Sequence, residues 1–199
     1  LSPRRDGQFA FARWGRPIAP VAFGIEEEAL PVVKGALEAV AKLAGHDMAE
    51  TDPELGSNLM MFFFADWAEL LDVPGMEGLV PDLAAQVERL QAAGANQYRF
   101  FRFEENGAIK AAFVFLRMDE SLQDMSAQVL ALSQAVQVIL LWSEDAFQEQ
   151  SPLAMADDAL VLRPEVADVI RAAYDPVMPP AANDASHALR LAARVQVAS

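Results

Sequence analysis

The stretch QYRFFRFEENGAIKAAFVFLRM, residues 97–118, decides the fold of this chain. Aromatic residues alternate with arginine up to Asn106-Gly107, a dipeptide typical of two-residue hairpin turns, and a second apolar run follows. The pattern predicts a β-hairpin whose antiparallel strands cover residues 97–104 and 108–118. This hairpin is the clearest local feature of the sequence, and the other elements are interpreted around it.

The next segment, SLQDMSAQVLALSQAVQVILLW at residues 121–142, predicts one long central helix. Ser121 and Asp124 have the spacing of a capping box, with Asp in place of Glu. No charged residue occurs from Ser126 to Ser143, so we expect this helix to be buried on most sides and its polar side chains to need internal partners. Apolar residues recur along it every three or four positions: Leu122, Met125, Val129, Leu132, Val136 and Ile139.

Residues 133–137 have the spacing of a zinc-protease helix but none of its metal ligands. Such a helix carries His-Glu-x-x-His, with both imidazoles on the metal and the Glu as general base. Here Ser133, Gln134 and Gln137 stand at those positions, and none is a strong zinc ligand or a base near neutral pH. We predict no metal, cofactor or catalytic residue there. The three side chains form either a polar site for a peptide backbone or carboxamide, or a set that satisfies buried groups and each other, which we favour.

The other segments predict strands and helices of one α+β domain. Residues 17–24 predict an edge strand because they hold two prolines, and the apolar run 58–64 predicts a central strand buried on both faces. Residues 143–163 predict a loose acidic region. Together these elements predict a mixed, mostly antiparallel twisted sheet with the β-hairpin, backed on one side by the long central helix and other helices. Helices are predicted at 26–44, 66–76, 81–93, 164–173 and 181–197.

The domain organisation follows from charge and helix pattern. We predict a basic N-terminal arm over residues 1–16, a single α+β domain over 17–178, and a C-terminal amphipathic helix over 179–199. Residues 1–20 carry a charge of +3, from four arginines against Asp6, while the whole chain of 199 residues carries −14. We expect the arm to be solvated, with docking on an acidic surface as the alternative.

The overall composition excludes several classes of function. The net charge of −14 disfavours nucleic acid and anionic membranes as partners. The chain has no cysteine, so it forms neither a disulfide nor a thiolate metal site. No apolar run reaches the ~18 residues of a membrane-spanning helix. Because the sequence starts at Leu1 rather than Met, we expect an exported, periplasmic protein in its mature form.

Four short motifs between Trp14 and Met178 resemble an uncharacterised proteobacterial family, a domain of unknown function often labelled as lipoproteins. The resemblance implies a zincin-like topology, a twisted sheet with an edge strand and a long helix beneath it, without the zinc ligands. Ser133 and Gln134 depart from the family, which has an acidic pair there, as do Leu140 and Ser143-Glu144. The matching positions are Trp14 and Pro17 before the first strand, Asn58 before the second, Gln137 and Leu141 in the helix, and Tyr174-Asp175-Pro176 at the end.

Three possible functions remain after these observations. The first is a non-catalytic binding or scaffolding protein of the bacterial cell envelope, with an unknown protein or peptide partner there. The alternative is a hydrolase, glycosidase- or peptidase-like, that uses carboxylates brought together in space. His46 and His187 have no ligand spacing between them, and no Gly-x-Ser-x-Gly motif occurs. A third possibility is a domain that docks on a membrane protein through its arm or its last helix. The acidic pairs are Glu26 to Glu28, Glu104-Glu105, Asp119-Glu120, Glu144-Asp145 and Asp157-Asp158.

Overall fold

Eight strands and seven α-helices make up the described part of the chain, residues 9–143 and 145–198 of a computed structural model. The strands are β1 (Phe11–Ala12), β2 (Pro20–Phe23), β3 (Leu59–Phe64), β4 (Gln97–Phe103), β5 (Ile109–Arg117), β6 (Leu153–Ala156), β7 (Ala159–Leu162) and β8 (Ala181–Ala182). The helices are α1 (Leu30–Ala44), α2 (Met76–Leu79), α3 (Leu83–Ala92), α4 (Glu120–Gln123), α5 (Ala127–Ile139), α6 (Pro164–Ala173) and α7 (Ser186–Ala198), with 3-10 helices at Glu27–Ala29 and Trp67–Asp72.

The main sheet has four strands in the order β2-β3-β5-β4. β2, β3 and β5 run parallel, and β4 pairs antiparallel with β5 in the predicted hairpin, with Phe100 opposite Phe113. The predicted α+β class with a mixed sheet is therefore confirmed. Two of the three pairings in this sheet are parallel, so the main sheet is not mostly antiparallel as predicted. The reason is that α1 carries the chain back across the sheet between β2 and β3, and α3 and β4 lie between β3 and β5 in the chain. The described residues add two antiparallel pairs, β1 with β8 and β6 with β7.

Helices cover both faces of this sheet, so the prediction of helices on one side was wrong. Met61 and Val114 point to the face covered by α1, α5 and α6, whereas Phe62 and Phe115 point to the face covered by Trp67 and α3. The physical reason is the composition of β3 and β5, which are apolar at successive positions and expose apolar side chains on both faces. The prediction that residues 58–64 form a strand buried on both faces implies the same cover on both sides of the sheet.

The predicted central helix is divided into α4 and α5 by a break at residues 124–126. The capping box predicted for Ser121 and Asp124 does not start the helix. Asp119 accepts a hydrogen bond from Leu122 N at 3.0 Å and begins α4, and Ser126 Oγ accepts one from Val129 N at 3.2 Å and begins α5. Two N-cap residues seven positions apart therefore begin two helices where the apolar periodicity predicts one.

The region 143–163 contains a second hairpin, β6 and β7, where the sequence predicts only a loose segment. Its turn is formed by Asp157 and Asp158, whose φ angles of 47° and 64° are both positive. A two-residue hairpin turn needs this geometry, and Asp adopts it more readily than most residues other than Gly and Asn. The acidic pair is thus part of the turn.

The first and last segments of the described residues pack onto the body of the protein. In the predicted arm, Phe11 and Trp14 are buried, while Arg4 and Arg5 lie outside the described residues. Toward the other end, β8 pairs with β1, and α7 packs on α6 with Leu191 buried. The helix predicted from residue 181 begins at Ser186, because residues 181–182 form β8. Among the described residues, no helix is both long and apolar enough to cross a membrane.

Candidate functional site

The polar residues at the positions of the two zinc ligands and the general base lie against two side chains of β4. Ser133, Gln134 and Gln137 lie within one turn on α5, and α5 packs under the sheet. Gln97 and Arg99 lie two residues apart on β4, so both point to the face that α5 covers. Strand alternation and helix periodicity together bring these five residues into one cluster.

The cluster is held by hydrogen bonds centred on the Arg99 guanidinium. Arg99 Nη2 donates to Gln134 Oε1 at 3.1 Å, to Gln137 Oε1 at 3.0 Å and to Gln97 Oε1 at 3.4 Å. Gln134 Nε2 donates to Gln97 Oε1 at 2.9 Å. Gln137 Nε2 donates to Ser133 O at 3.2 Å and to Ser133 Oγ at 3.1 Å. The polar side chains of α5 therefore bond to each other and to β4.

Arg99 is an enclosed cation whose acceptors are all neutral. No carboxylate of the described residues forms an ion pair with it, and its Nε is buried without a hydrogen-bond partner. Burial lowers the pKa of Arg99 to about 10, so the guanidinium stays charged at neutral pH. The residue as a whole is half-buried, so part of it reaches the surface. Such a group can donate further hydrogen bonds to a carbonyl or a carboxylate.

The two histidines lie in separate environments away from this cluster. His46 Nε2 is 2.8 Å from Arg16 O, and its ring meets the edge of Tyr174. His187 is buried on α7 against Phe11, with a ring-centroid distance of 4.3 Å. Across residues 9–143 and 145–198, no three His, Asp or Glu side chains are grouped closely enough to hold a metal ion.

The aromatic motif residues Trp14 and Tyr174 contact the carboxyl end of α5. Trp14 Nε1 donates to Val138 O at 2.8 Å, and Tyr174 Oη donates to Ile139 O at 2.6 Å. Trp142 Nε1 adds a third bond, to Val136 O at 2.7 Å. These carbonyls belong to the last turn of α5 and have no partner within the helix. Trp14 and Tyr174 therefore fix the end of the helix that carries the polar cluster.

The remaining motif residues have structural contacts. Asn58, just before β3, bonds to the segment before β2: its Oδ1 accepts from Ala19 N at 2.7 Å and its Nδ2 donates to Pro17 O at 2.8 Å. Leu141 N donates to Ala12 O at 3.0 Å. Asp175 and Pro176 follow the last turn of α6, where Asp175 Oδ1 accepts from Val177 N at 2.9 Å, as an Asx turn does.

An ion-pair network around the buried Asp52, beside Asn58, has no counterpart in the sequence predictions. Asp52 is 4% exposed and accepts from Asn58 Nδ2 at 2.9 Å and from Arg16 Nη1 at 3.1 Å. Arg16 also pairs with Glu54 and Glu104. Burial raises the pKa of Asp52, but hydrogen bonds from Leu55 N, Asn58, Glu54 N and Arg16 outweigh it and hold this pKa well below its usual range. The network ties the segment before β2 to the loop before β3.

Sequence reasoning missed Arg99 as the centre of the polar cluster. The available signal was the alternation of β4, which places Gln97 and Arg99 on the same face as Phe101. No protein-family model, no curated protein sequence and no solved structure matches this chain. The resemblance to the proteobacterial family of unknown function therefore rests on the motif residues alone and stays a prediction.

Proposed function

We propose that this chain is a non-catalytic binding or scaffolding protein of the bacterial cell envelope, with a zincin-like topology that lacks the metal site. One observation carries the proposal: the positions of the zinc ligands and the general base hold Ser133, Gln134 and Gln137. Both glutamines accept hydrogen bonds from the Arg99 cation, and Ser133 accepts one from Gln137. A positively charged guanidinium beside these positions repels a metal ion. The cluster has no side chain that could take a proton from water at neutral pH.

The topology supports this proposal in two respects. β4 is the antiparallel edge strand of a mixed sheet, and α5 lies under that sheet with its polar residues against β4. An edge strand above a long helix is the arrangement that the family resemblance implies. The proposed envelope location rests on the same resemblance.

The free edge of β4 offers a binding mode for an extended peptide. Arg117 N donates to Asn96 O at 2.9 Å, so the pairs that bond β4 to β5 include Tyr98 and Phe100. The backbone N–H and C=O groups of Gln97 and Arg99 then point away from β5, toward an edge that no other strand of the described residues occupies. A partner strand can add there by main-chain hydrogen bonds, with the Arg99 side chain as a donor beside it.

The alternative, a hydrolase that uses clustered carboxylates, finds no support in the electrostatics. A carboxylic acid that donates a proton near neutral pH needs a raised pKa. Among the described residues, the carboxyl groups whose pKa departs clearly from its ordinary value all have a lowered pKa because of hydrogen bonds, as at Asp119, where Leu122 N is the largest cause. Such groups remain ionised acceptors.

The test is a peptide capture experiment with the purified, untagged protein. A library of extended peptides is incubated with the protein, and bound and free peptides are identified by mass spectrometry. We expect bound peptides to be recovered intact, and a copy with every second backbone nitrogen methylated to lose binding, since methylation removes strand pairing while side chains stay the same. Reproducible cleavage, or near-stoichiometric zinc in the purified protein, would overturn the proposal.

A further inference from the structure

An apolar pocket lies at the carboxyl ends of the three parallel strands. Phe63 of β3 lines it, together with Ile25, which follows β2, and Met118, which follows β5. Its other walls come from the segment before α1 and from the break between α4 and α5, which contributes Met125. The carboxyl ends of parallel strands are where ligands bind in sheets covered by helices. This pocket is separate from the free edge of β4 and meets the polar cluster only at Gln134.

The size of the pocket selects one side chain as its occupant. The cavity volume is about 170 Å³. A cavity of about 150 Å³ admits a benzene molecule, whereas sites for drug-sized ligands measure about 300–1,000 Å³. The space therefore fits a single Leu, Met or Phe side chain. Met118 and Met125 at the walls are flexible and polarisable, which lets such a pocket adapt to different apolar groups.

The segments that form the mouth of the pocket are acidic. Residues 24–33 and 118–127 contain no lysine or arginine. Between the lining residues Ile25 and Ala29, all three residues are exposed glutamates, Glu26 to Glu28. In the second segment Glu120 and Asp124 are exposed as well. An occupant flanked by positive charges therefore meets a complementary surface, while an acidic one is repelled.

We propose that this pocket is the docking site for a basic peptide segment of a partner protein, with one apolar side chain inserted in the cavity and lysine or arginine residues beside it. The proposal rests on the proposed function in that a binding protein is assumed. The apolar anchor supplies contact area, and the acidic mouth selects for basic flanks.

The probe is a fluorescein-labelled peptide of about twelve residues, made of alanine and lysine with a single central leucine. Binding is followed by fluorescence anisotropy against a copy with Ala in place of Leu and a copy with Glu in place of every Lys. We expect the Ala copy to bind about 10- to 100-fold more weakly, as loss of one buried Leu predicts. We expect the Glu copy not to bind, and the affinity of the Lys peptide to fall as salt is raised.

Matched variants of the protein locate the site. The triple variant Glu26→Gln, Glu27→Gln, Glu28→Gln should weaken binding at least about fivefold, since three rim charges are lost. The control removes the same charge from the opposite face of the sheet, as Asp72→Asn, Glu77→Gln, Glu88→Gln, and should leave binding unchanged. Met125→Ala tests the wall of the cavity against Met155→Ala, a methionine 66% exposed on β6. Thermal unfolding of each variant verifies that it is folded.

The outcomes separate this proposal from the proposed function. Equal binding of the Leu and Ala peptides, equal binding of a neutral Leu peptide, or equal effects of the two triple variants would each overturn docking in this pocket. If the basic peptide does not bind while extended peptides still add to β4 and are recovered intact, the pocket proposal fails and the proposed function stands. Cleavage of the basic peptide would instead contradict the non-catalytic function.

Discussion

Tyr174 and Trp14 are 160 positions apart in the chain and are joined by a buried hydrogen bond, in which Trp14 N donates to Tyr174 Oη at 3.2 Å. The same hydroxyl donates to Ile139 O at 2.6 Å, so one phenol links the segment before β2, the end of α6 and the end of α5. Since α5 carries the polar cluster, this contact sets where the cluster lies relative to β4.

The first prediction concerns this hydroxyl. Tyr174→Phe leaves Ile139 O and Trp14 N without their partner in a buried site, which should lower the free energy of unfolding by about 1–3 kcal/mol. Urea denaturation measures it. Tyr98→Phe is the matched control, because no hydrogen bond of the Tyr98 hydroxyl occurs among the described contacts, and it should change stability by less than about 0.5 kcal/mol. Equal effects of the two changes would contradict this role of Tyr174.

The second prediction concerns the buried carboxylate Asp52. Asp52→Asn puts an amide NH2 group where Asp52 now accepts hydrogen bonds, and it should cost about 1–3 kcal/mol because buried donors lose an acceptor, while Arg16 keeps its other two carboxylates. Because the pKa of Asp52 is lower in the folded state than in the unfolded state, its stabilisation is fully present above about pH 4 and is lost as the pH falls toward the folded value.

Stability measured from about pH 6 down to pH 2 distinguishes this contribution from other acids. The wild-type protein should lose stability steeply over the lower part of that range, and the Asp52→Asn variant should lose less. Glu38→Gln serves as a control, since Glu38 forms only an exposed contact with Lys34 at 4.0 Å and should be worth under about 0.5 kcal/mol. Parallel pH curves for wild type and Asp52→Asn would show that Asp52 does not titrate on unfolding.

The third prediction concerns His187, whose ring is buried against Phe11 with Nε2 unpartnered. Burial, helped by the nearby Arg190, lowers the pKa of His187. The unfolded chain therefore binds the proton first, and stability should fall as the pH drops below about 6.5. His187→Phe should reduce this slope between about pH 7 and 5.

His46 is the internal comparison for that experiment. Burial also lowers the pKa of His46, although its hydrogen bond to Arg16 O opposes the shift. A slope therefore remains in His187→Phe and should vanish only when both histidines are replaced. An unchanged slope in His187→Phe would mean that this histidine has the same proton affinity in the folded and unfolded chains.

Short-range patterns in the sequence were sufficient for much of the sheet. The hairpin at residues 97–118, the buried strand at 58–64 and the helix at 164–173 were predicted because alternation, the Asn-Gly turn and a proline in the first helical turn are local signals. The break between α4 and α5 is also local. It depends on Asp119 and Ser126 as N-cap residues. The prediction of one helix gave more weight to the continuous apolar stripe than to these two residues.

The polar cluster depends on long-range contacts that periodicity does not specify. The helix pattern identified Ser133, Gln134 and Gln137 as polar groups in need of partners, but their partner Arg99 lies 35 residues from Gln134 on another element. Likewise, Asp52 and Arg16 are 36 residues apart, in segments that the sequence predicts to be a loop and the N-terminal arm. Such pairs follow from how the elements pack, which a single sequence does not reveal.

The last prediction follows from the neutral acceptors of Arg99. Gln137→Glu places a carboxylate where Gln137 Oε1 now accepts at 3.0 Å. The Ser133 hydroxyl can turn to donate to it, while the bond that Gln137 Nε2 donates to Ser133 O is lost. A hydrogen bond between charged groups contributes about 1.5–3 kcal/mol, against about 1 kcal/mol for a neutral acceptor, so the variant should be more stable than wild type at neutral pH.

The gain in stability from Gln137→Glu should depend on pH. The new carboxyl group should have a lowered pKa in the folded state because of Arg99, so its gain should be present above about pH 4.3 and disappear in acid. Gln128→Glu is the control on the same helix, where an exposed carboxylate near the N-terminus of α5 gains only a few tenths of a kcal/mol from the helix dipole. If Gln137→Glu is less stable than wild type at pH 7, then solvent already stabilises the Arg99 charge and a carboxylate in the cluster adds no stability.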